Sequence, residues 1–261
     1  MNHSPDNAAP VRTGGAALLY AVAFITGAMV MSFEMLGSRY LNPYFGSGIY
    51  TWAALISTVL LALTAGYFSG GALADRTASP AVLACTVLLA SGYLLLLPSF
   101  SPAILEFVLA GIDDVRTGSL MAALALMFVP VAFLGMCSPF AIRLLLHSAQ
   151  RSGRVSGAVY GVSTAGSIVG TLGTTFFLIP SIGSRAITLT LGLIGLITGL
   201  TLFAHSHLGR RACGIAALVM IPLTLMLAPA PQAQGLIDEG TRAAMLEHPE
   251  GRIAHIETEY N

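Results

Sequence analysis

The stretch IYTWAALISTVLLALTAGYFSGGALADR, residues 49–76, carries no charged side chain until its last two positions. It exceeds the roughly 20 apolar residues that a helix needs to cross a hydrocarbon core of about 30 Å. A run of this kind sits in lipid only if its backbone N–H and C=O groups are satisfied within the segment, and for a single segment that means an α-helix. Asp75 and Arg76 then mark the end that returns to water.

Charges punctuate the rest of the chain in the same way. Uncharged runs separate Arg12 from Glu34, Arg39 from Asp75, Arg76 from Glu106, Arg116 from Arg143, Arg154 from Arg185, Arg185 from Arg210, and Arg211 from Asp238. They predict an all-α, polytopic membrane protein with about seven transmembrane helices. The spans are expected near 15–37, 49–72, 81–99, 118–145, 155–180, 186–205 and 212–229. A polar segment, 1–14, precedes this helical domain of 15–229, and a polar tail, 230–261, follows it. Segment 102–112 is apolar but too short to span and has Glu106 at its middle, so it is expected to be an interfacial helix. The first span follows Arg12 as a signal peptide would. Its apolar stretch is too long for one and no small-residue cleavage site follows, so it is expected to remain as an anchor.

Composition excludes several classes. With 55% hydrophobic residues, 9% charged residues and a mean hydropathy of +0.80, a water-soluble fold is ruled out. The basic side chains are all arginine, so a P-loop lysine, a Schiff-base lysine and a Ser/Lys nucleophile pair are excluded. A formal net charge of zero leaves no basic surface for a nucleic-acid partner. Cys85, Cys137 and Cys213 lie far apart within apolar segments, which speaks against a disulfide framework or a thiolate metal site. Asp113 and Asp114 read as a solvated turn. His205 and His207 are a weak metal signal with no carboxylate or thiolate beside them. No GxSxG, HExxH or strand-GxGxxG-helix pattern occurs, so no catalytic, metal or cofactor-binding residues are assigned.

Orientation follows from arginines beside the spans. With the N-terminus inside, the inner connections hold Arg12, Arg76, Arg143, Arg151, Arg154, Arg210 and Arg211, and the outer ones only Arg39, Arg116 and Arg185. The expectation is a bacterial cytoplasmic (inner) membrane, a cytoplasmic N-terminus and a tail outside. That tail carries Asp238, Glu239, Glu247, Glu250, Glu257 and Glu259 against Arg242 and Arg252.

Lipid supplies no hydrophobic drive between helices, so small residues that allow close approach are the packing signal. Gly157, Gly161, Gly166, Gly170 and Gly173 form such a stripe on the fifth span; Gly66 and Gly70 do the same on the second, and Gly195 and Gly199 on the sixth. A cavity lined by backbone, with Thr164 and Ser167 beside the glycines, is the alternative reading.

Glu34 lies near the end of the first span, at a depth where a carboxylate must be protonated, paired or facing a cavity. Arg39 is five positions on, about 140° round the helix, so the two do not share a face. The connection that follows, YLNPYFGSGIYTW, fits an interfacial aromatic belt or a lid over a pocket near Glu34. On the second reading Arg39, Tyr40, Tyr44, Tyr50 and Trp52 join Glu34 as candidate pocket residues.

Residues 66–76, GYFSGGALADR, resemble the major facilitator motif between the second and third helices, with Gly71, Asp75 and Arg76 matching its G-x-x-x-D-R core. There the Asp caps a helix or pairs with an Arg and latches two helices on the cytoplasmic side. The motif's further arginines are absent, since Thr77, Ala78 and Ser79 follow. Three stretches in order, EMLGSRYLNPYFGSGIYTW at 34–52, GYFSGGALADR at 66–76 and GRVSGAVYGVSTAGSIVGTLGTTFFLIPSIGSR at 153–185, are similar to the membrane domain of the spermidine-synthase-like membrane proteins. The resemblance covers almost the whole chain. It implies a bundle like half of a major facilitator, serving a soluble aminopropyltransferase-like domain with an S-adenosylmethionine fold. HIETEYN at 255–261 resembles the first strand of that domain, and the glycine-rich turn and catalytic acids do not occur in these residues. The domain is therefore expected to be non-catalytic, with the transferase following the tail or docking on it. Two rivals stand beside this reading. One is an amine or polyamine transporter, with a homodimer across the glycine-rich fifth span. The other is a membrane scaffold.

Overall fold

Once the first turn of a helix has formed in hydrocarbon, every further residue that leaves the helix strands a donor and an acceptor. The computed structural model describes residues 13–146 and 151–205, and nearly all of them are helical. The elements are α1 (Thr13–Phe45), α2 (Ile49–Arg76), α3 (Pro80–Gly111), α4 (Val115–Gly135), α5 (Cys137–Leu145), α6 (Ser152–Gly173), α7 (Ile179–Ser181) and α8 (Ser184–Ala204), with a π-helical turn, Thr174–Leu178, between α6 and α7. Among the described residues six helical stretches are long and apolar enough to cross a membrane: Gly15–Phe45, Ile49–Arg76, Pro80–Gly111, Val115–Leu145, Ser152–Ser181 and Ser184–Ala204. The seventh expected span, 212–229, the tail 230–261, His207 and Cys213 lie outside the described residues, as do residues 1–12.

The boundaries follow from caps and prolines. Ser79 caps α3 by accepting from the Ala81 N–H at 3.3 Å, with Pro80 at the first helical position, where its missing donor costs nothing. Asp114 caps α4, accepting from the Thr117 N–H at 3.2 Å and from its hydroxyl at 2.9 Å. The Asp113–Asp114 turn thus has a defined structural part.

Three expectations need correction. The interfacial helix expected at 102–112 is not separate, because α3 runs unbroken through Pro98 and Pro102 to Gly111. Neighbouring helices tolerate such prolines in a membrane bundle, and the 32 residues of α3 measure about 48 Å at 1.5 Å each, more than a hydrocarbon core of about 30 Å. The first span likewise continues past 37 to Phe45, through Pro43. The fourth span, expected as one helix over 118–145, breaks at Met136. Pro139 has no N–H to give to the Gly135 carbonyl, which is where the break falls. Pro180 acts similarly on the fifth span, where the backbone widens into the π turn just before it.

Packing is dominated by three helix pairs: α1 with α6, α2 with α4, and α3 with α8. Glycine makes each one. A β-carbon at Gly166 would run into the Phe24 carbonyl, one at Gly170 into the Ala28 carbonyl, and one at Gly27 into Ser163. Ser32 donates to the Gly170 carbonyl at 3.2 Å, and Ser167 to the Gly27 carbonyl at 3.2 Å. In the second pair Gly66 abuts the Ala132 carbonyl and Gly70 sits where a β-carbon would be 2.7 Å from the Met136 Cα. Both contacts advance in register, so these pairs are parallel. Gly192 meets Leu95, Gly195 meets Ser91 and Gly199 meets Leu88, an antiparallel register for α3 and α8.

Exchanging the first three spans with the last three maps this pattern onto itself. The α1·α6 contact becomes α4·α2, α3·α8 is unchanged, and the secondary contacts α3·α4 and α8·α1 interchange. The glycine stripe of the fifth span is divided accordingly: Gly166 and Gly170 are buried on α1, whereas Gly157, Gly161 and Gly173 face open space.

Replacing Gly166 or Gly170 by Val should therefore destabilise the bundle by about 1–3 kcal/mol, as overpacking against rigid backbone does. Gly173→Ala should leave the thermal midpoint in detergent nearly unchanged. Equal midpoints for both classes would contradict the packing. The Asp114 carboxyl is held below its ordinary value, chiefly by the Thr117 N–H and hydroxyl. Its cap is thus fully present above the ordinary carboxylate range and is lost as pH falls through the lowered value. Helix melting in acid should be less steep for Asp114→Asn than for the parent.

Candidate functional site

Charged side chains at a membrane end turn either outward to headgroups or inward to a cavity, and α1 does the latter. A cavity of about 320 Å³ lies where the end of α1, the second half of α3 and the start of α8 converge. Arg39, Tyr40, Pro43 and Tyr44 come from α1; Pro98, Ser101, Pro102, Leu105 and Glu106 from α3; Ser184 and Arg185 from α8. Prolines and Leu105 make apolar walls, and the ionisable groups among them are two guanidiniums, one carboxylate and two phenols.

The α1–α8 wall is set by a relay of hydroxyls. Thr188 donates to the Ser184 carbonyl at 2.8 Å, so its single proton is used, and the Tyr40 hydroxyl at 2.9 Å from Thr188 Oγ1 is the donor. Tyr44 lies within electrostatic reach of Glu106. The Arg185 guanidinium presents a buried Nη2 with no hydrogen-bond partner among the described residues. Among the described residues the ion pair present is Arg143 with Asp75, so neither Arg39 nor Arg185 is matched by a carboxylate there.

The expected pocket residues divide. Arg39, Tyr40 and Tyr44 line the cavity; Glu34, Tyr50 and Trp52 do not. Glu34 is 8% exposed, about one and a half turns deeper in α1, and has no ion pair among the described residues. Tyr50 is exposed at the start of α2, where the Arg116 guanidinium stacks 4.6 Å from its ring centre, and Trp52 is exposed beside it. Neither aromatic faces the cavity. Arg185 and Glu106 join the cavity without having been among the expected pocket residues. Glu106 carried a legible sign, a carboxylate in an otherwise apolar segment. Arg185, at a helix start, carried none.

At the opposite end, the G-x-x-x-D-R residues close α2. Asp75 pairs with Arg143 of α5 at 3.5 Å, and both side chains are well exposed. An exposed pair contributes at most about 1 kcal/mol, so it orients helix ends more than it holds them. Gly71 has only Pro139 at its edge, 4.0 Å away. Between the two ends lies a smaller hollow of about 60 Å³, with Thr26, Tyr67, Ser138, Ser163 and Ser167 among its lining residues. Tyr67 meets Tyr160 edge to face over its α6 side, ring centres 6.5 Å apart.

Compared with protein-family models, curated proteins and solved structures, the chain has no match.

Because Glu34 is buried with no ion pair among the described residues, Glu34→Gln should leave the thermal midpoint unchanged or raise it, since an unpaired carboxylate inside a span is costly unless it is protonated. A large fall in the midpoint would show instead that the carboxylate is paired.

Proposed function

We propose that this chain is the membrane domain of a spermidine-synthase-like membrane protein, a bundle like half of a major facilitator that anchors and serves a soluble transferase domain through its polar tail. The domain itself performs no chemistry. The observation that carries the architectural part is the exchange of spans one to three with four to six. It leaves the helix pairing unchanged, with glycines at equivalent contacts: Gly66 and Gly70 on α4, Gly166 and Gly170 on α1. An odd number of spans per repeat inverts the second, and inverted three-plus-three repeats build each half of a major facilitator. The Asp75–Arg143 pair supports the same reading, because it joins the ends of spans two and four as a latch would. The spermidine-synthase-like part rests on the stretches 34–52, 66–76 and 153–185 and on the strand-like HIETEYN. In this reading the protein sits in a bacterial cytoplasmic membrane with its N-terminus inside.

A transporter is the second reading, favoured by the hydroxyl-lined hollow between α1, α2, α4, α5 and α6. A homodimer through the exposed face of α6, with Gly157, Gly161, Ile168 and Leu172, would supply the second half that a facilitator needs.

The two readings separate by experiment. The full chain, captured by an affinity tag from its own membranes in mild detergent, should bring with it transfer of aminopropyl groups from decarboxylated S-adenosylmethionine to putrescine. An eluate without that activity sinks the anchoring reading. Saturable uptake of labelled spermidine by proteoliposomes of the chain would establish the transporter in its place.

A further inference from the structure

A cationic amine is the wrong ligand for the cavity at the end of α1. Its ionisable lining is Arg39, Arg185 and Glu106, with Tyr40 and Tyr44, and so carries a net positive charge with Glu106 ionised. The cavity also receives the first turn of α8. That 21-residue helix starts at Ser184 with no side-chain cap and no acidic residue in its first turn, and Ser184 itself lines the cavity. Its uncapped N–H groups add the positive end of the helix dipole to the same space. Arg185 contributes the independent observation: a buried guanidinium nitrogen with no hydrogen-bond partner among the described residues, an arrangement that is costly unless a ligand completes it. Arginine's planar fork suits a carboxylate or phosphate in particular. Across from α8, Glu106 of α3 offers a carboxylate to a cationic nitrogen.

We infer that this cavity binds a small zwitterion, its anionic group between Arg39, Arg185 and the start of α8 and its ammonium group at Glu106. The volume of about 320 Å³ suits a small metabolite or a lipid headgroup. A free solute and a zwitterionic phospholipid headgroup share this chemistry.

O-phosphoethanolamine is the probe, titrated onto the full chain in an uncharged maltoside detergent and followed by thermophoresis, with ethyl phosphate as the analogue that lacks the amine. Saturable binding is expected, tighter for phosphoethanolamine than for ethyl phosphate. Arg185→Gln should weaken it at least 10-fold, and Glu106→Gln should erase the preference between the two probes while still binding both. Each variant's own melting curve reports its folding, and Arg185→Lys, which keeps the charge but not the fork, takes the place of any Gln variant that fails to fold and should also weaken binding. Adding phosphatidylethanolamine to the micelles should displace the probe if the natural source is a headgroup and leave it bound if the source is a free solute; either result keeps the site. No saturable binding, or binding unchanged in folded Arg185 and Glu106 variants, overturns the inference.

Discussion

The bundle depends on backbone-to-backbone approach between α1 and α6. In water two apolar helices would associate by burying surface, but lipid tails are as apolar as leucine, so only close van der Waals contact and short polar bonds favour a neighbouring helix over lipid. Gly166 and Gly170 let α6 reach the Phe24 and Ala28 carbonyls, and Ser32 and Ser167 add hydrogen bonds across the same seam. Helix α1 touches each of the other five spans among the described residues, so fixing α6 on one of its sides fixes the frame against which the rest pack. On another side Gly37 admits Met127 of α4, where a β-carbon would be 2.6 Å from the sulfur.

The α2–α4 pair repeats that solution, and α3 and α8 pack on each other and against α4 and α1. Two clusters of buried side chains result. One, around Phe33, Leu55, Leu94 and Leu126, lies toward the end that holds the cavity; the other, around Leu83, Cys137 and Phe140, lies toward the end that holds Asp75 and Arg143. Charged side chains other than Glu34 stand at or near the helix ends, and hydroxyls are distributed along the spans and in the small hollow. Apart from Glu34, the interior is served by hydrogen bonds from hydroxyls to backbone carbonyls.

Glu34 and Arg185 illustrate how differently charge reads in one dimension and in three. Glu34 stands out in the sequence as an acid inside an apolar run, yet it lies apart from the cavity. Arg185 looks like an ordinary charge between two spans, yet its guanidinium reaches into the cavity that α1 and α3 enclose. Depth along one helix is readable from hydropathy. Which cavity a side chain faces depends on helices that are far away in the chain.

The sequence by itself determined that the chain crosses a membrane as helices, because charge spacing and the need to satisfy backbone groups in lipid are properties of each segment alone. It also marked the second, fifth and sixth spans, through their stripes of small residues, as places where helices approach closely. Only the tertiary structure decided which of the five glycines on the fifth span are contacts, that Pro98 and Pro102 do not end α3, and that Arg39 shares a cavity with Glu106 and Arg185 rather than with Glu34. The reason is physical: a helix's apolar face in lipid satisfies itself equally well against lipid or protein, so the local pattern does not say which side a neighbour takes. The pairing of α1 with α6, α2 with α4 and α3 with α8 makes that choice.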